Sequence, residues 1–172
     1  MKVNRKTLIV SFVAVFFILL CCYFYLPWSK TGVIREFNKN TNLPFPLAIS
    51  ENNLEYGNEY QYVYGMGGYG LRKEGLFISV AGWPDDLGDN HLIGYSWTSA
   101  DYSIFGFSIG DDYDNAVSLL KRYGYRPNEA GKFPNAYAKN NAIVIWVSES
   151  IDNSIKEIRV RAVSTNKRNV VF

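Results

Sequence analysis

FGFSIGDDYDNAVSLLKRYGY, residues 105–125, carries the clearest helix signals in the chain. Phe105, Phe107 and Ile109 alternate with Gly106 and Ser108, which is the period of a strand. Gly110 breaks that strand. Asp111 is placed to cap a helix, its carboxylate accepting from the free amides of the first turn. Asp112 and Asp114 set negative charge at the positive end of the helix dipole. Tyr113, Ala116, Val117 and Leu120 recur at i, i+3, i+4 and i+7 and form one apolar face. Lys121 and Arg122 occupy the last turn, Gly124 suits a left-handed residue beyond it, and Pro127 bars continuation. These signals predict a helix over 112–123. Capping and dipole compensation account for its three aspartates without a metal.

Strand patterns surround this helix. Tyr60, Tyr62 and Tyr64 alternate with Gln61 and Val63, so three tyrosines share a face. Gly65–Gly70 (GMGGYG) reads as a flexible or bulged loop, and Leu71–Gly75 reads as a turn. A phosphate-binding loop would need a lysine and Ser/Thr at its end, or a helix opening on it, and neither follows. Leu76–Ala81 and Leu92–Ser99 are predicted strands around the turn-rich Gly82–Asn90. Beyond the helix, Ala136–Lys139 and Ala142–Val147 read as a hairpin turning at Asn140-Asn141. Ile155–Val163 is the last predicted strand. The expected fold class is α+β, an antiparallel sheet with one main helix packed on it.

Thr7–Leu26 is a run of 20 residues without a charge. As a helix it spans about 30 Å, the thickness of a bilayer core. Lys2, Arg5 and Lys6 precede it, and Tyr23, Tyr25 and Trp28 cluster at its far end. That order predicts a single-pass membrane segment with a cytoplasmic N-terminus. An uncleaved anchor is the expected form. The alternatives are a cleaved signal peptide and a lipoprotein signal at Cys21 or Cys22, although no small-x-small site follows and Leu20 is a poor residue before an acylated cysteine. Residues 1–28 are thus expected to be tip and anchor, 29–58 a tether, 59–163 the folded domain and 164–172 a tail. Asn38, Asn40, Asn42, Pro44 and Pro46 give the tether its loop-like character. A short helix near Val33–Asn38 and a docked extended segment at Leu43–Ile49 are compatible with it.

Both cysteines lie inside the apolar run, so the domain beyond it has no disulfide, thiol nucleophile or cysteine-ligated metal. The net charge of +2 comes from the N-terminal tip, since residues 30–172 hold 15 Lys and Arg against 16 Asp and Glu. Such a balance argues against nucleic acid as a partner. No cofactor motif is present.

LFISVAGWPDDLGDNHLIGYSWTS and IVIWVSESIDNSIKEIRVRA share a plan: apolar strand, turn rich in Asp and Asn, alternating strand. This faint repeat predicts two related units in one sheet, of which only the second keeps a clear helix. The second unit runs strand, Gly110-Asp111, capped helix with Ala116 and Leu120, Gly124, hairpin. It resembles the small envelope domains of the SmpA/OmlA (BamE-like) group and the related β-lactamase-inhibitor-protein fold, over residues 105–163 and more weakly 60–100. The resemblance implies helices on one face of an antiparallel sheet and a role in binding proteins.

His91 is the only histidine and follows Asp85, Asp86 and Asp89. A hydrolase or a weak cation site there is one reading, but there is no second histidine and no nucleophile-elbow serine, and a solvated turn is the simpler account. The aromatics offer more. Tyr60, Tyr62, Tyr64, Tyr69, Trp83, Tyr95 and Trp97 concentrate in the first half. Such residues fill cores and cross-strand pairs, and where exposed they favour interfaces. The expected binding surface is Tyr60, Tyr62, Tyr64, Tyr69 and Trp83. The expected function is a membrane-anchored, extracytoplasmic, non-enzymatic module that binds another envelope protein. A cell-wall glycan-binding domain is the alternative.

Overall fold

A computed structural model of the chain describes residues 12–20, 29–50, 53–65, 68–81, 91–128 and 135–163. Residues 12–20 are helical (α1). There follow α2 (Lys30–Lys39) and a four-strand meander, β1 (Gln61–Gly65), β2 (Gly68–Lys73), β3 (Leu76–Ala81) and β4 (Leu92–Trp97). A small hairpin, β5 (Ser103–Ile104) and β6 (Phe107–Ser108), leads to α3 (Tyr113–Arg122). A second meander closes the chain: β7 (Arg126–Pro127), β8 (Ala136–Lys139), β9 (Ile143–Glu149) and β10 (Ile155–Ala162). The strand order is β1-β2-β3-β4-β10-β9-β8-β7, with β4 and β10 antiparallel at the middle. Each half is therefore a helix followed by four strands. Both units carry a helix, where sequence periodicity reveals only the second.

α3 is shorter than its predicted span 112–123 and starts one residue later than its aspartates imply. Asp112 is the cap, its Oδ1 accepting from the Asn115 amide at 2.7 Å. Asp111 accepts from the Ser108 amide at 2.7 Å instead, closing the turn before it. Tyr113, Ala116, Val117 and Leu120 are buried, as their spacing requires. Of the strand expected over 105–109, Phe107–Ser108 is strand (β6), whereas Phe105-Gly106 is the turn of the hairpin before it. Phe105 and Gly106 have φ of 52° and 87°, the left-handed pair whose twist suits two-residue hairpins. A phenylalanine rarely adopts this φ. Here its ring is held 4.4 Å from that of Tyr123, 5.4 Å from that of Tyr125 and 5.9 Å from that of Phe37.

Residues 29–50, expected as tether, join the core. Ser29 caps α2 by accepting from the Gly32 amide at 3.0 Å, and Val33 and Phe37 are fully buried. The asparagines that look like linker replace missing backbone partners. Asn38 bonds both backbone groups of Leu47, at 2.8 and 3.0 Å. Asn42 accepts from the Ser103 amide at 2.6 Å and donates to the Asp101 carbonyl at 2.9 Å. Leu47 is buried, and the amide of Ala48 donates to the Leu92 carbonyl at 2.9 Å. Ala48 itself sits at φ 65°. Glycine adopts that conformation without the steric cost a Cβ brings. Ala48→Gly should therefore raise stability by about 0.5–1 kcal/mol, and a urea midpoint at or below that of the parent would count against it.

Alternation divides the sheet into two faces. Leu71, Leu76, Ile78, Trp97, Tyr95, Ile158, Val160, Val147 and Ile145 share the face that, with Phe37 and Leu120, forms the core. Arg72, Phe77, Ser96, Arg159 and Trp146 align across the opposite face. The glycine loop of the sequence reading is mostly strand: Gly68 and Gly70 lie in β2, and the turn comes later at Gly75, with φ 67°. Gly70 is open because the Phe77 ring lies over it, where a Cβ would come 2.4 Å from that ring. Gly94 permits close approach at the central pair, since a Cβ there would lie 2.6 Å from the Val160 carbonyl oxygen.

In α1 the apolar side chains from Phe12 to Leu20 are exposed. Among the described residues no helix is long and apolar enough to cross a membrane, and most of the 7–26 run lies outside those residues. So do the 82–90 loop, with Trp83, Asp85, Asp86 and Asp89, and the 164–172 tail.

Candidate binding surface

Among the described residues β1 is the terminal strand of the sheet, and it pairs with β2 through Tyr62↔Leu71, Val63↔Gly70 and Tyr64↔Tyr69. Strand alternation turns Tyr62, Tyr64 and Tyr69 to the same side as Leu71. Tyr62 and Tyr69 stack with centroids 4.6 Å apart and planes 11° apart. Tyr64 adds a tilted contact to Tyr62 at 5.1 Å. Tyr60, just ahead of the strand, contacts Phe45 at 5.8 Å, and Lys73 lies 5.6 Å from its ring centroid. Burial, then the charges of Tyr102 and Glu59, push the Tyr60 hydroxyl above its ordinary pKa.

Four of the five predicted residues are thus brought together, and Trp83 lies outside the described residues. The cluster also holds Tyr56, which the sequence reading passes over. Its ring sits 6.5 Å from Tyr60 and 6.4 Å from Tyr62. A turn in which the Tyr60 amide donates to the Gly57 carbonyl returns it to the strand. A turn signal at Gly57-Asn58 was the available clue. Exposure grades outward along the cluster: Tyr56 is 41% exposed, Tyr62 42% and Tyr64 83%. Tyr95 and Trp97 are not part of this surface. Both are core residues, and the Tyr95 hydroxyl donates to the Phe45 carbonyl at 2.6 Å. Burial raises the Tyr95 pKa well above the ordinary phenol range, so the hydroxyl stays a donor.

The opposite face mixes polar and apolar side chains, Arg72, Ser96 and Arg159 with Phe77 and Trp146. A groove of about 490 Å³ is lined there by Gln61, Arg72, Phe77, Ser96 and Thr98, among others. Beside it Glu157 accepts two bonds from Arg159, at 2.8 and 3.0 Å, and one from the Ser96 hydroxyl at 2.8 Å. The Arg159 bonds hold the Glu157 carboxyl below its ordinary pKa. A carboxylate so occupied is poorly placed to act as a base. His91 is not in a solvated turn. It is 8% exposed and bridges Ser50 at the start of β4. Among the described residues no group of three His, Cys, Asp or Glu is placed to hold a metal.

Compared with protein-family models, curated proteins and solved structures, the chain matches none.

Proposed function

We propose that this chain is a membrane-anchored, non-enzymatic protein-binding module working outside the cytoplasm of a bacterium-like envelope. The observation that carries the reading is the tyrosine cluster on the terminal strand. Tyrosine gives a large, rigid contact area with little entropy to lose, and is enriched in interface cores. Supporting the anchor are the uncharged 7–26 run, the basic residues before it and the exposed apolar side chains of residues 12–20. The twofold helix-plus-four-strand plan is compatible with the resemblance to SmpA/OmlA and β-lactamase-inhibitor-protein-like domains. Protein is favoured over glycan as the ligand because Tyr62 and Tyr69 stack on each other, using ring faces that a sugar would need.

The test is in-cell crosslinking at native expression, then recovery from membranes. The wild type should retain a protein partner. Tyr62→Ser with Tyr64→Ser should lower recovery about tenfold or more. Recovery of no partner from either chain, or full recovery with the double variant, argues against the reading. Finding the intact chain in the cytosol after gentle lysis removes the anchor.

A further inference from the structure

We infer that the tyrosine edge takes a second copy of this chain, β1 pairing antiparallel with β1 of the copy about a two-fold axis at Val63. The inference rests on the binding role proposed for this edge and names its partner.

The two ends of the sheet are built differently. β7 has two residues, Arg126 and Pro127, and a charge, a proline and a short length are the devices that keep edges from pairing. β1 has five residues, QYVYG, without proline or charge, and its pairing with β2 is regular throughout. Among the described residues the sheet thus has one receptive edge and one blocked edge, an arrangement that closes as a dimer and does not grow into a filament.

The strand is also self-complementary. Tyr62-Val63-Tyr64 reads the same in both directions, so a two-fold axis at Val63, where residue i meets j and j meets i, sets tyrosine against tyrosine. With Val63 opposite its own copy, each Tyr62 faces the Tyr64 of the other strand. Aromatic cross-strand pairs of this kind are favourable, and Tyr64 and Tyr69 already form one within the chain. Register agrees as well. Gly65 and Gly68 are separated by two residues, and such hairpins close on a hydrogen-bonded pair. Hydrogen-bonded pairs then alternate, so Val63 turns its backbone groups inward to Gly70 and its neighbours turn theirs outward. Val63 would face its copy as a non-hydrogen-bonded pair, with Cα atoms about 4.5 Å apart, within reach of a disulfide.

The test uses the full chain in its membrane, with Cys21→Ser and Cys22→Ser to leave one thiol. Val63→Cys should oxidise readily to a disulfide-linked dimer. Gln61→Cys should not, because this register sets the two Gln61 positions about 13 Å apart. Adding Tyr64→Glu to Val63→Cys puts charge against the facing tyrosines and should cut dimer yield about tenfold. Tyr64 is exposed, so the fold is spared. Equal crosslinking at 61 and 63, or none at 63, overturns self-pairing. A photocrosslinker at Tyr64 separates the two readings. Capture of a different protein without self-capture ends the dimer and leaves the binding role standing, whereas no capture ends both.

Discussion

Gly94→Ala should lower stability by about 2–3 kcal/mol, and the melting midpoint by about 5–10 °C. The added methyl would lie 2.6 Å from the Val160 carbonyl oxygen and 3.6 Å from the Arg161 Cα. The obstacle is backbone, which has no rotamer to move to. Gly94 also faces Ser79 on its other side, next to the register shift between Ser79 and Val80, so β4 is held from both directions. Relief would require β4 and β10 to part, and these strands join the two halves of the sheet. A thermal melt of the variant that overlays the parent would show that the strands do not approach this closely.

Phe37→Ala should cost about 3–5 kcal/mol, the range for removing a large buried aromatic. Its ring is fully buried and meets Phe105 edge to face at 5.9 Å. The result decides where the domain begins. In a tether the same change would alter stability by no more than about 0.5 kcal/mol. Urea unfolding of the full chain, followed by tryptophan fluorescence from Trp97 and Trp146, measures the difference. A loss below about 1 kcal/mol would return residues 29–50 to the role of a linker.

These two residues mark where the sequence was legible and where it was not. α3 could be read because its cap, dipole charges, apolar face and terminator all lie within about 15 residues. α2 has only Val33 and Phe37 fully committed to the core, with Gly32 beside them, so its periodic signal is thin. Its surroundings mislead too. Asn38, Asn40 and Asn42 have loop composition, yet their partners include Leu47, Asp101 and Ser103, and pairing over such separations leaves no local trace. The turn at Phe105-Gly106 was hidden by alternation that belongs to burial on both sides of a hairpin. Tyr60, Tyr62, Tyr64 and Tyr69 were visible as a set because period two is a local property. Their separation from Tyr95 and Trp97, which have the same composition, follows from distance to the core and has no signature in composition.

Lys139 ties the two units together. Its ammonium is paired with the Glu36 carboxylate on α2, donates to the Tyr123 carbonyl at the end of α3 at 2.7 Å, and lies 5.8 Å from the Tyr125 ring centroid. With β4 meeting β10, and with Asn40 and Asn42 meeting Phe105 and Ser103, it belongs to the contacts that join the two units, while the strand pairs within each meander join neighbours. Rapid collapse of two separate halves, followed by a slower docking step, is the order this wiring favours. Lys139→Met would then chiefly accelerate unfolding and leave the refolding limb of a chevron nearly unmoved.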